Sequence, residues 1–281
     1  MEDSIMLVQS APSGFESATP LILIHDGGGT TVSYFYLESL DRTVYGIQNP
    51  RFYSGEPWEG GLPEMGRIYA SLIRSVIPSG PVILGGWSLG GMLSLEVASV
   101  LARSPDIRVL GIIMLDTVNP LTASSSHVPN VVPYQTQYSE YAKPETRQLV
   151  SNCMKQAVTM ASTWTPPVWN ACSDQDVVQR RKKLEAELSS RMPAQYGHGC
   201  FVTELNVPWR DMLPTIPQTI LLRCQEYVPV STDKCRDAVA RVDVVRKMER
   251  LGWEDYGYDF ISAVLDIPGH HYSIFAKDYV S

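Results

Sequence analysis

The passage Val82-Ile83-Leu84-Gly85-Gly86-Trp87-Ser88-Leu89-Gly90-Gly91-Met92 decides how this chain is read. Its first half is a short continuous apolar run, the pattern of a strand buried on both faces. From Leu89 to about residue 103 the chain is rich in Leu, Ala, Met and Val, as a buried helix is. Between them lies Gly86-Trp87-Ser88-Leu89-Gly90, a Gly-x-Ser-x-Gly pentapeptide. A strand-to-helix turn this tight forces the serine backbone into strain and leaves Oγ projecting above the sheet edge. Glycines at 86 and 90 bring no side chain to collide across the turn. The N–H of Leu89 then points at the oxygen of a carbonyl held against Ser88, and the helix N-terminus favours negative charge there. Ser88 reads as a nucleophile.

Outward from this point, strand and helix patterns alternate. Residues 21–24 (Leu-Ile-Leu-Ile) are an interior strand running into His25-Asp26-Gly27-Gly28-Gly29. A helix is expected over 30–40, a strand over 43–47 and a helix over 64–77, the last stopped by Pro78 and Gly80. A further strand is expected over 109–115. This alternation predicts an α/β fold, a mostly parallel central sheet flanked by helices on both faces. From 119 to 213 the strand signal disappears and two helices are expected instead. One covers 144–164, with Pro144 in its first turn and Val150, Met154, Ala157 and Ala161 on one face; the other covers 173–191. The sheet pattern resumes at 219–224, with a helix over 242–251 and a last strand over 260–265 before Pro268-Gly269-His270-His271. The expectation is one domain over 1–281, interrupted at 119–213 by a helical lid insertion.

A serine hydroxyl needs a histidine base, itself oriented by a carboxylate. Strand–Gly-x-Ser-x-Gly–helix is the nucleophile elbow of the α/β-hydrolase fold, in which the acid and then the histidine follow the serine. The five histidines are His25, His127, His198, His270 and His271, and only the last two follow the final strand. For the acid, Asp116 directly after the 109–115 strand is preferred, because it sits at the carboxyl edge of the sheet. Glu226, after the next strand, is the alternative. The three glycines after His25 let backbone N–H groups approach a ligand, so Gly27, or failing that Gly28, is the expected oxyanion partner of Leu89. No Gly-x-Gly-x-x-Gly or Gly-Lys-Ser/Thr is present, so that loop does not read as a nucleotide site.

Composition narrows the function classes. A net charge of −7 argues against a nucleic-acid binder, which needs a surplus of Lys and Arg. No apolar run approaches the ~20 residues of a membrane span. The acidic start Met1-Glu2-Asp3 is unlike a signal peptide, and five cysteines without a Cys-x-x-Cys pair suggest reduced thiols. A cytoplasmic location is therefore expected, with no metal.

The assembled residues resemble the type I thioesterase domains of polyketide synthases and nonribosomal peptide synthetases, the fungal branch most of all. The resemblance runs from about residue 20 to 275. It is carried by Leu23-Ile24-His25-Asp26-Gly27-Gly28-Gly29, Val44-Tyr45-Gly46-Ile47, Gly85-Gly86-Trp87-Ser88-Leu89-Gly90-Gly91 and Gly269-His270-His271-Tyr272-Ser273. It implies Asp116 as the acid and His271 as the base, with His270 at a variable position. One departure is Asp26, where relatives often carry Pro. The resemblance further implies an acyl-Ser88 intermediate, loaded from the phosphopantetheine thiol of an acyl or peptidyl carrier protein. Release then follows by hydrolysis, cyclisation, or ester- or carbon–carbon-bond formation, and the only phosphopantetheine is the carrier's own arm. Tyr134, Tyr138, Met154 and Trp164 are the lid residues expected to contact substrate, packing of the lid on the core being the alternative for each. The basic run Arg180-Arg181-Lys182-Lys183 could meet an acidic carrier, or be a solvated helix face. A carboxylesterase or lipase using the same residues on oxygen esters is the competing reading; a catalytically silent binding module is a third.

Overall fold

Short aliphatic runs set between Gly, Pro and Asn form the strands of a seven-stranded sheet. The computed structural model describes residues 4–126, 130–132, 142–170, 175–191, 214–230 and 237–276. The strands are β1 (Ile5–Gln9), β2 (Leu21–Ile24), β3 (Val44–Ile47), β4 (Gly80–Trp87), β5 (Ile107–Leu115), β7 (Thr219–Cys224) and β9 (Ile261–Ile267). Their order across the sheet is β1-β3-β2-β4-β5-β7-β9. Every neighbouring pair is parallel except β1 against β3. β1 is an addition to the strands read from the sequence, and it closes one edge of the sheet.

The pleat divides the core. Ile22, Ile24, Val82 and Leu84 point to the face covered by α1 (Gly61–Val76) and α2 (Leu89–Leu101). Leu21, Leu23 and Val44 point to the other face, where Tyr34 and Phe275 pack on them. α2 is buried along its whole length, which is why its sequence is mostly apolar, with Ser94, Glu96 and Ser99 enclosed among the aliphatic residues.

Two expected helices do not form. The 30–40 stretch holds only a 3-10 turn at Val32–Tyr36. Its β-branched and aromatic residues favour helix weakly, and the buried Tyr34 hydroxyl is engaged elsewhere. The 242–251 stretch is a 3-10 turn at Arg241–Asp243 followed by further turns. Asp243 there accepts from the Val228 N–H and from Arg246, and Leu251 takes a left-handed φ of 51°.

Between β5 and β7 come α3 (Pro120–Ser125), the short β6 (Val131–Val132), α4 (Pro144–Ser162) and α5 (Gln175–Arg191). β6 pairs in parallel with β8 (Val239–Ala240), tying this stretch to the segment after β7. Glu96 of α2, fully buried, accepts from both guanidinium nitrogens of Arg181 on α5, and Arg181 also donates to the Thr165 carbonyl. Arg181 thus leaves the basic run named above, while Arg180, Lys182 and Lys183 stay exposed. No helix among the described residues is long and apolar enough to cross a membrane.

Candidate active site

Strand β4 ends in the turn that carries Ser88. Its φ of 57° and ψ of −116° form a backbone state that costs roughly 1–3 kcal/mol, and the surroundings enforce it. The Ser88 N–H donates to the Leu115 carbonyl (2.9 Å), and Thr117 Oγ1 donates to the Ser88 carbonyl (3.0 Å). A Cβ on Gly90 would lie 2.3 Å from the Ile24 carbonyl oxygen, and one on Gly86 would lie 2.6 Å from the same atom. The turn therefore packs onto the end of β2 with no room for a side chain. Tyr34 adds a tie that sequence reasoning missed. Its hydroxyl donates to the Ile24 carbonyl (2.6 Å) and accepts the Trp87 N–H (3.0 Å), joining β2 to the residue before the serine.

The sheet topology brings the other two groups alongside. His271, buried in the loop after β9, places Nε2 3.0 Å from Ser88 Oγ and Nδ1 2.8 Å from Asp116 Oδ2. A carboxylate accepts only, so Nδ1 carries the proton and Nε2 is free to accept from the serine hydroxyl. Asp116, directly after β5, is wholly buried and has a left-handed φ of 45°. Its Oδ1 also accepts the Cys224 N–H (2.9 Å). Arg246 grips the same carboxylate with two nitrogens, one of them 2.8 Å from Oδ2, and donates through Nε to Asp243 (2.9 Å). Burial alone would push the Asp116 carboxyl up, but the hydrogen bonds from His271 and Arg246 outweigh it and hold it well below the usual range. Arg246 falls in a stretch read from sequence as an ordinary helix; only its position in the fold marks it.

The alternatives do not converge here. Glu226 is exposed, and the His270 Nδ1 accepts the Tyr272 N–H within its own turn. His25 is buried with Nδ1 on the Asp26 carbonyl and Nε2 on the Tyr69 hydroxyl (2.6 Å). Its burial pulls its pKa down to about 4, so it is a neutral structural ring.

Ser88 and His271 open into a cavity of about 420 Å³ with mostly apolar walls, among them Met92, Val118, Ala157 and Val242. Gly27 and Leu89 line it beside the serine. The Gly28 N–H is engaged by Asp26 Oδ1 (3.0 Å), which makes Gly27 rather than Gly28 the loop residue open to a ligand. Of the four lid residues named from sequence, Met154 lines the cavity, with its sulfur over Gly27. Trp164 does not. It is buried in the core, where its indole N–H donates to Glu96 (2.7 Å) and its ring meets Trp253 edge-on. A buried indole needs an acceptor for its N–H, and Glu96 supplies one away from the cavity. Tyr134 and Tyr138 lie outside the described residues, as do His127 and His198. Among the described residues no group of three or more His, Cys, Asp or Glu could hold a metal ion.

A mostly parallel sheet, a strained serine turn after a central strand and a histidine after the last strand define an α/β-hydrolase fold. Comparison with known proteins is more specific. The Thioesterase domain family model matches residues 19–132. "Probable thioesterase gloN" of Glarea lozoyensis is 31% identical over 262 residues, spanning 93% of this chain and 85% of the relative. Thioesterase frbD of Dothideomycetidae sp. is 31% identical over 282 residues, spanning 99% of this chain and 89% of the relative. The chain belongs to the thioesterase family. Among solved structures, the NocB thioesterase domain from the Nocardicin cluster superposes with a TM-score of 0.58 at 20% identity, covering 99% of this chain and 94% of that one. The Vlm2 thioesterase domain gives a TM-score of 0.51 at 19% identity, covering 100% and 95%. At these identities both speak to fold alone.

Proposed function

We propose that this thioesterase takes a polyketide or peptide-like acyl chain from the phosphopantetheine thiol of a carrier protein onto Ser88 and then releases it. The observation that carries the reading is the hydrogen-bonded series Ser88–His271–Asp116 opening into an apolar cavity. Ser88 Oγ attacks the thioester carbonyl as His271 Nε2 takes its proton. The N–H groups of Leu89 and Gly27 hold the oxyanion, and Asp116 steadies the imidazolium. Collapse expels the pantetheine sulfur, which receives the proton from Nε2 and leaves as a thiol, with acyl-Ser88 remaining. Water, an internal hydroxyl or amine, or a carbon nucleophile then attacks the ester, passing its proton through His271 back to Ser88. No metal or resident cofactor enters the scheme. Residues 119–213 act as the lid, with α4 presenting Met154, Ala157 and Ala161 to the acyl chain. The setting proposed is the cytoplasm, in keeping with the free thiols of Cys153 and Cys224.

The test has two parts. A fluorophosphonate should label the protein and fail to label Ser88→Ala. A carrier-bound or cysteamine acyl thioester should be deacylated much faster than a nitrophenyl ester of the same chain. Equal or reversed preference would point to an oxygen-ester hydrolase instead, and an unlabelled parent would point to a silent module.

A further inference from the structure

The cavity wall is apolar apart from a few groups, and one of them has no role in the scheme above. Asp26 lines the cavity with Ser88 and His271, and it is the one carboxylate on that wall among the described residues. Its Oδ1 accepts the Gly28 N–H (3.0 Å), a contact that shapes the loop after β2. No Lys, Arg or His side chain pairs with the carboxylate among the described residues. Two basic groups share the cavity: His271, close enough to act on Asp26 through its charge, and Arg241, exposed at the wall. Burial pushes the Asp26 carboxyl up to about 6, against the pull of the Gly28 N–H, of His271 and of its own backbone N–H. A carboxylate can accept about four hydrogen bonds, and in an apolar enclosure each one missing leaves lost hydration without an offset. The loop supplies backbone N–H alone, so the remaining valence is left for whatever fills the cavity. Asp26 directly precedes Gly27, shares the cavity with Ser88 and lies close enough to His271 for their charges to interact, so a chain carried on Ser88 passes it near the carbonyl end.

We infer that Asp26 is a specificity-determining residue that selects acyl chains bearing an O–H or N–H donor, a hydroxyl or an ammonium, within a few atoms of the thioester carbonyl. The inference rests on the carrier-thioester reading above, with Ser88 as nucleophile. A hydrogen bond to a charged group is worth roughly ten- to hundredfold in discrimination, and an unpartnered carboxylate penalises the chain that lacks the donor.

Octanoyl, 3-hydroxyoctanoyl and 3-aminooctanoyl thioesters of N-acetylcysteamine supply matched probes. The quantity read is the ratio of kcat/KM values, which reports acylation and hence the chain rather than the acceptor. The parent should prefer at least one donor-bearing chain over octanoyl by about tenfold or more, and the hydroxyl and amino arms say which donor is read. In Asp26→Asn, which keeps an acceptor for the Gly28 N–H and nearly the same volume, the ratio should fall to near one. Asp26→Ser, which also retains a short acceptor, should give the same collapse, and thermal melts of both variants show whether the loop has kept its shape. A parent ratio near one, or a ratio that survives in both folded variants, overturns the assignment of Asp26. Failure of every thioester together with absent fluorophosphonate labelling of Ser88 overturns the thioesterase reading itself, and this inference with it.

Discussion

Asp116 does more than receive one proton-bearing nitrogen. Arg246 holds both of its oxygens, and Asp243 sits on the far side of the guanidinium. The three charges, two negative and one positive, sum to the single negative charge that an isolated acid would present to His271. The carboxylate is thereby fixed in orientation without losing its net sign. Arg246→Lys keeps the charge but removes the planar fork. It should lower kcat for a cysteamine thioester by about tenfold or more with little change in KM. A loss confined to KM would show that Arg246 acts on substrate binding and not through Asp116. Gly90 carries a different constraint. A methyl there meets the Ile24 carbonyl oxygen at 2.3 Å, and neither strand nor helix can give way. Gly90→Ala should yield little soluble protein, and a normal melt together with normal labelling of Ser88 would contradict the geometry. The glycine pair was legible in the motif; Arg246 was not, because nothing in residues 242–251 signals that they return to the end of β5.

Among the elements, α5 is tied to the core by charge. Its Arg181 enters the core to meet Glu96 on α2, with Trp164 donating to the same carboxylate. Both partners are almost wholly buried, so removing one strands the other. Arg181→Met should destabilise the protein by about 3–5 kcal/mol, while Arg181→Met with Glu96→Leu should recover much of that loss. Denaturant unfolding of the two variants checks this, and a double variant no more stable than the single would argue against the pairing. The helical span of α5 follows from its sequence, but Arg181 reads there as one of four adjacent cations. Only packing separates it from Arg180, Lys182 and Lys183. The same burial decides Trp164, for which the sequence offered substrate contact or packing on the core: the fold packs it on Glu96. α4 is the converse case. Of the face drawn from its spacing, Met154, Ala157 and Ala161 line the cavity while Val150 packs by Gly28, because an amphipathic helix buries one stripe.

At the scale of the whole molecule, stability should respond to acid through adjacent groups of opposite sign. His25 is neutral in the fold, with its pKa lowered to about 4 from an unfolded value near 6.5. Its contribution is full above pH 6.5 and is lost as pH falls toward 4, a change of roughly 3 kcal/mol at 1.36 kcal/mol per unit. Asp26 works the other way. Its pKa, raised to about 6, makes ionisation costly in the fold, so the protein gains stability as pH falls from 6 toward 4. The two nearly offset each other in that window. Below it, Asp116 adds a loss of its own, since a carboxyl held low stabilises the fold only while ionised. Asp26→Asn should therefore be more stable than the parent above pH 6 and should lose stability more steeply between pH 6.5 and 4. Denaturant midpoints across this range measure it, and parallel curves for parent and variant would remove the Asp26 contribution.

The sequence by itself determined the strands on either side of Ser88 and their flanking helices, the strained turn at Ser88 and the loop at Gly27, but not the 3-10 turns that replace helices at 30–40 and 242–251. Each feature it determined is written in neighbouring residues, as apolar period, glycine placement and helix termination. By residues alone it preferred Asp116 to Glu226 for its place directly after a buried strand, and it left His270 against His271 to the resemblance to thioesterases, which favoured His271. The tertiary structure decided which side chains meet. His271 and Asp116 come to Ser88 from β9 and β5, Arg246 closes on Asp116, and Trp164 turns away from the cavity to Glu96. Those contacts join residues far apart in the chain. Their partners are chosen by the order of strands in the sheet and by the need of buried polar groups for one another, which no local stretch of sequence specifies.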